Sequence, residues 1–196
     1  MVSDNALASP NHMVWELFQA LRRHCFRLHQ YPGSEAETRQ DAAVAVILAV
    51  QCVEVFLNIF FRVLVSEPSY SDAELRICRD LKNPRFGLDR KIKEWPLAVL
   101  GRRLELGLGI GQRFVALKDT RHRLMHFTSS HQTISIPGVE IHGLADISVY
   151  SELSVETALE ALRTAEDFLC EVFMLRGITE DNLPHAMHSW TGQPPT

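Results

Sequence analysis

Apolar positions in residues 13–30, MVWELFQALRRHCFRLHQ, return every three or four residues: Val14, Leu17, Phe18, Leu21, Cys25 and Leu28. That spacing predicts an amphipathic helix, stopped by Pro32-Gly33. Ser34 and Glu37 then form an S-x-x-E capping box for a second, longer helix reaching about Val65, with Pro68 closing it. Ser71 and Glu74 repeat the pattern ahead of a short third helix. Between Leu88 and Gly107 two short helical pieces are expected, split at Pro96, which suits the first turn of the second piece. A fourth main helix is expected from Ile110 to Phe127. The stretch TISIPGVEIH, residues 133–142, alternates apolar and polar positions about Pro137-Gly138 and reads as a β-hairpin. A fifth helix follows Ser154 as N-cap, carries Leu159, Leu162, Phe168, Leu169, Val172 and Phe173 on its apolar side, and ends at Gly177. The pattern thus predicts an all-α fold, a bundle of about five main helices with a small β-hairpin between the last two. Residues 1–177 are expected to form one helical domain. Residues 178–196, with Pro184, Pro194 and Pro195, are expected to be a loosely held C-terminal tail.

The second helix is long and apolar enough to suggest a membrane span, but it carries Gln51, Glu54, Asn58 and Arg62. These four lie within an arc of about 80° on a helical wheel, so they form one polar stripe on an apolar cylinder. In a lipid-facing helix each charge would cost roughly 2.5–3.5 kcal/mol, and no second candidate span is present to shield it. A central bundle helix is the better reading, with no membrane contact expected. Glu54 then needs a partner. An arginine on the first helix, or Arg62 of a neighbouring chain, would make it structural; the basic group at 121–126 would make it functional.

Composition changes this picture little. The chain has 196 residues, 46% hydrophobic and 22% charged, enough for a sizeable core. The N-terminal residues lack the charged and apolar runs of a signal peptide. Cys25, Cys52, Cys78 and Cys170 are far apart and form no C-x-x-C pair, so free thiols in a reducing cytoplasm are expected rather than disulfides or a zinc site. No metal or other cofactor is expected. His185 and His188 lack a third donor, and GLGIGQ (107–112) lacks the preceding strand and the last glycine of a phosphate-binding loop. Charge matters more. The net charge of −4 conceals a middle segment, residues 71–126, with thirteen Lys/Arg against seven Asp/Glu, followed by a segment with two against ten. The middle third could meet a polyanion, or pair internally with the acidic last helix.

Inside the basic segment, ALKDTRHRLMHF (116–127) sets Arg121, His122 and His126 among Leu117, Leu124, Met125 and Phe127. Imidazole gives or takes a proton near neutral pH, and guanidinium clamps a phosphate through two hydrogen bonds. Those are the groups that metal-free cleavage of RNA needs: a base for the 2′-hydroxyl, an acid for the leaving oxygen and a cation for the phosphorane. His122 and His126, four apart, share a helix face. Arg-x4-His alone is a weak signal, expected somewhat less than once by chance in this composition, and Arg23 with His29 forms a similar pair on the first helix. The apolar frame, the late helix and the acid on a long preceding helix set 121–126 apart.

With these features the chain resembles the HEPN superfamily, all-helical domains of which many are metal-independent endoribonucleases with an Arg-x4–6-His motif, often toxins paired with an antitoxin. Arg121 and His126 match the two fixed positions. His122 takes the position after the arginine, usually polar in the family, and Glu54 resembles the acidic residue on the family's second helix. The resemblance covers residues 13–176, and the hairpin and the long segment between the second and fourth helices depart from compact members. It implies RNA cleavage with Arg121 and His126 catalytic and His122 and Glu54 supporting. Lys118, Arg123 and Arg113 are candidate RNA contacts. It also implies a homodimer with the motifs facing each other, and an antitoxin partner. Along a regular helix Arg121 and His126 stand about 140° apart, so a second copy would complete the cleft. The apolar second and fifth helices are candidates for that interface. The alternative is an inactive HEPN-like module that binds a nucleotide or a protein.

Overall fold

The computed structural model describes residues 9–126, 132–144 and 147–192. The fold is mostly helical. Among the described residues there are eight α-helices: α1 (His12–Gln30), α2 (Glu35–Leu64), α3 (Glu74–Lys82), α4 (Leu88–Leu100), α5 (Gly109–Met125), α6 (Ser148–Ser151), α7 (Val155–Arg176) and α8 (Leu183–Thr191). Strands β1 (Gln132–Ile136) and β2 (Val139–Leu144) pair antiparallel, with Ile136 opposite Val139 and Gly138 at φ 86° in the turn. The register shifts between Gln132 and Ile134. Phe127, the expected end of the fourth helix, lies outside the described residues, as do Pro194 and Pro195.

Helix α2 is the axis of the bundle. Ser34 and Glu37 close the expected capping box, the backbone N–H of Ser34 donating to Glu37 Oε2 at 2.7 Å. Those hydrogen bonds hold the Glu37 carboxyl below its ordinary pKa. Twelve α2 residues are buried, including Val46, Val53, Phe56, Leu57 and Phe61, and α1, α7, α5, α3 and α4 all pack on it. By length and composition α2 could cross a membrane, and 56% of its most apolar stretch is buried inside the bundle. Helix α7 likewise buries ten residues in the bundle.

Three differences from the sequence reading have physical causes. Pro96 does not split the segment; it lies inside the continuous α4. A proline there costs about 3 kcal/mol. Trp95 beside it is fully buried, stacks on Phe86 with centroids 5.8 Å apart and donates from Nε1 to Asp80 Oδ2 at 3.3 Å. Burying roughly 150–250 Å² of an aromatic side chain returns about 4–6 kcal/mol, which outweighs the break. Ser71 does not cap α3 either. Its hydroxyl turns back to Pro68 O within a 3-10 turn, Pro68–Ala73, and α3 starts uncapped after Ala73. Residues 178–192 are not a loose tail. Met187 and Thr191 of α8 are fully buried, and Trp190 packs edge-on to Phe56 and Phe60.

Candidate functional site

The direction of each helix locates the motif. Phe114 of α5 meets Phe168 of α7 with centroids 4.2 Å apart, and Thr120 shares a cavity wall with Thr157, so α5 and α7 run antiparallel. Val46 lines that cavity beside Leu117 and Ala161, and Phe56 meets Phe173, so α2 runs parallel to α7. The C-terminal end of α5, with Arg121, His122 and His126, therefore lies toward the N-terminal end of α2. Short α6 packs against both helices there.

At that end His122 and His126 meet, ring centroids 4.7 Å apart and planes tilted by 49°. Both rings are exposed. His126 is the C-cap residue, and its N–H donates to His122 O at 2.9 Å. Departure from helical dihedrals at His126 (φ −122°, ψ 77°) turns its side chain off the ideal wheel position assumed from sequence. Arg121 is half-buried. Its Nε is buried without a hydrogen-bond partner, and no described residue pairs with its guanidinium. A buried unsatisfied donor costs about 1–3 kcal/mol.

Of the other sequence candidates, Arg123 stays near the motif, 3.5 Å from Ser148 Oγ. Lys118 and Arg113 are engaged elsewhere. Arg113 reaches Glu160 at 3.3 Å and Asp167 at 2.8 Å, and the Asp167 hydrogen bond raises its pKa. Lys118 pairs with Asp89 and Asp119; burial works against its charge, but the two carboxylates outweigh that and raise its pKa. Here the basic segment is paired internally, in part by the acidic α7 as one sequence reading expected.

Glu54 is not part of the site. Its carboxylate takes a hydrogen bond from Lys91 Nζ of α4 at 2.7 Å. It lies eight residues beyond Val46, about 12 Å further along α2 and away from the motif. Of the polar stripe of α2, Glu54 meets α4 and Arg62 meets Glu74 of α3 at 3.3 Å, while Asn58 Oδ1 is buried without a hydrogen-bond partner. The buried acid that pairs with an arginine of the first helix is Glu166, 1% exposed, bound by Arg22 Nε at 2.7 Å, while Arg27 reaches the partly exposed Asp41 at 3.5 Å. Arg22 also donates to Thr191 O and Thr191 Oγ1, joining α1, α7 and α8. A signal for it was present: Glu166 stands in register with Leu162, Leu169 and Phe173, on the apolar stripe itself.

The glycine-rich stretch 107–112 is a close-packed helix entrance. Gly109 adopts φ 55°, and a Cβ on Gly111 would lie 2.0 Å from Glu105 O. Among the described residues no three His, Cys, Asp or Glu side chains are grouped to hold a metal ion. His185 and His188 are exposed on α8. No family model matches the chain, and neither do any curated protein or solved structure.

Proposed function

We propose that the chain is a metal-independent endoribonuclease of the HEPN type, acting at Arg121, His122 and His126. The observation that carries this reading is Arg121, whose buried Nε and guanidinium have no partner among the described residues, next to two imidazoles in contact. The outer nitrogens of that guanidinium, unpaired among the described residues, supply the fork for a phosphate oxygen. One imidazole, His126, takes the ribose 2′-hydroxyl proton as O2′ attacks phosphorus. The O5′ bond breaks, and the departing oxygen receives a proton from the second imidazole or its counterpart in another copy. The products are a 2′,3′-cyclic phosphate and a 5′-hydroxyl, with Arg121 holding the charge of the phosphorane. A second copy is proposed to face the first at this end, flanked by the exposed Met125 and Ile147 rather than by α2 and α7. An antitoxin covering the same cleft and action within the cytoplasm are parts of the same proposal.

The test is incubation of the purified chain with total cellular RNA in EDTA. Cleavage that persists and leaves cyclic phosphate ends supports the mechanism. Cleavage that vanishes with chelator and returns with a divalent ion rejects it. RNA binding without cleavage would leave the inactive-module reading standing instead.

A further inference from the structure

A second group of unpartnered cations lies away from the motif, between α1 and α7. There the two helices border a cavity of about 460 Å³, within the roughly 300–1,000 Å³ range of small-molecule sites. Its apolar floor is Leu159 and Leu162. Cys25 adds to it, donating its thiol to Ala158 O at 3.5 Å, and burial pushes that thiol up to about 11, so it stays neutral. Phe26 stands at the edge with 62% of its surface exposed. Arg23 on α1 and Arg163 on α7 line the two walls.

The arginines are the informative part. The segment from residue 127 onward holds only two cations, Arg163 and Arg176. Arg176 is clamped by both oxygens of Glu67, at 2.9 and 3.0 Å. Arg163 sits on a helix rich in acids and yet pairs with none of the described residues, and neither does Arg23 across the cavity. The neighbouring Arg22 is already neutralised by Glu166. His29, at the same rim, has Glu156 within electrostatic range. Two exposed arginines lining one cavity, with no carboxylate partner among the described residues, leave it open to an anion.

We propose that this cavity binds a small aromatic phosphate monoester, its flat ring over Leu159 and Leu162 beside Phe26, and its phosphate between Arg23 and Arg163. Two guanidinium forks match the two negative charges of a monoester, and the exposed ring supplies a stacking face. The floor demands an apolar body, so a bare phosphate leaves most of the cavity unused. The proposal is independent of the cleavage reading, since none of these residues belongs to the motif.

Calorimetric titration of the full-length chain with 1-naphthyl phosphate tests it. Saturable one-to-one binding is expected, with 1-naphthol, inorganic phosphate and 1-naphthoate each weaker by about tenfold or more. Arg23→Ala and Arg163→Ala remove exposed side chains and should each weaken binding about tenfold, whereas Arg121→Ala should leave it unchanged. Absence of saturable binding at millimolar ligand overturns the proposal. So does equal affinity in the Arg23→Ala/Arg163→Ala double variant, or loss of binding in Arg121→Ala.

Discussion

Arg22 and Glu166 meet inside the bundle with both charges removed from water and their hydrogen-bonding groups satisfied by each other and by Thr191. Deleting one partner of such a pair strands the other, which costs about 3–5 kcal/mol. Glu166→Ala should lower unfolding free energy by that amount in urea titration. Glu54→Gln, by contrast, removes only a partly exposed contact with Lys91 and should leave any RNA cleavage rate unchanged. His126→Ala should reduce cleavage by roughly 10²–10⁴-fold without loss of fold, because the exposed ring contributes proton transfer and little packing. Arg121→Lys should be impaired as well, since an ammonium cannot reproduce the two-pronged contact. If both variants cleave as the unaltered chain does, the site is misplaced. The thiols set a further dependence. Burial raises Cys25 from 9.0 to about 11 and Cys52 to about 12. Below pH 9 these thiols are protonated in folded and unfolded chains alike. Above it the unfolded chain ionises first, so stability is lost as pH rises through 11 to 12. Urea midpoints measured from pH 8 to 11 should fall, and a Cys25→Ala/Cys52→Ala variant should flatten the slope.

At the level of elements, the entrance to α5 and the docking of α8 carry the sharpest consequences. Gly111 lets the first turn of α5 approach the backbone of Glu105, where even a methyl group collides. Gly111→Ala should therefore cost about 1–3 kcal/mol in thermal or urea unfolding, an overpacking effect on an element that also ends in the motif. Truncation after Gly177 should abolish cooperative unfolding, because it removes buried Met187 and Thr191 and uncovers Phe56 and Phe60. A truncated chain that unfolds cooperatively with unchanged stability would instead restore residues 1–177 as the folding unit. These two cases also show what the sequence could and could not reveal. Helices with a continuous apolar stripe, α1, α2 and α7, the last two also with a capping box, are legible because their determinants lie within one turn of each other. Helix α8 is short and proline-led, and its long-range contacts with α1, α2 and α7 hold it, which no local pattern reports. Pro96 misleads for the same reason, since the burial of Trp95 that overrides it is tertiary. At the candidate site, the proximity of His122 to His126 follows from their spacing alone. The Lys91 partner of Glu54 could not be read, because nothing in the sequence aligns α4 with α2.

For the whole molecule, charge and apolar surface together bear on assembly. In the basic middle segment Arg76, Arg79, Arg90, Lys91, Arg113 and Lys118 pair with carboxylates of the chain, whereas Lys82, Arg85, Lys93, Arg102 and Arg103 have no such partner among the described residues. What stays unmatched near the motif is local: Arg121, and Arg123 with only a distant hydroxyl. A single copy thus offers few cations to an RNA phosphate, and a two-fold partner would double them at one place. The apolar surface is distributed consistently with this. Helices α2 and α7 bury many of their apolar residues, and Met125 at 51% and Ile147 at 56% exposure flank the α5 terminus. The expected outcome is a particle of twice the 22.3 kDa chain mass in sedimentation at micromolar concentration. Ile147→Glu together with Met125→Glu should return it to single mass and abolish cleavage while the fold survives. A sharper check mixes two inactive variants, Arg121→Ala and His126→Ala. If the cleft is shared, a mixed dimer unites the intact arginine of one copy with the intact histidine of the other, and cleavage reappears that neither variant shows alone. A mixture that stays inactive, or a chain that sediments as a monomer, would falsify the shared cleft and leave each Arg121 to act with the imidazoles of its own helix.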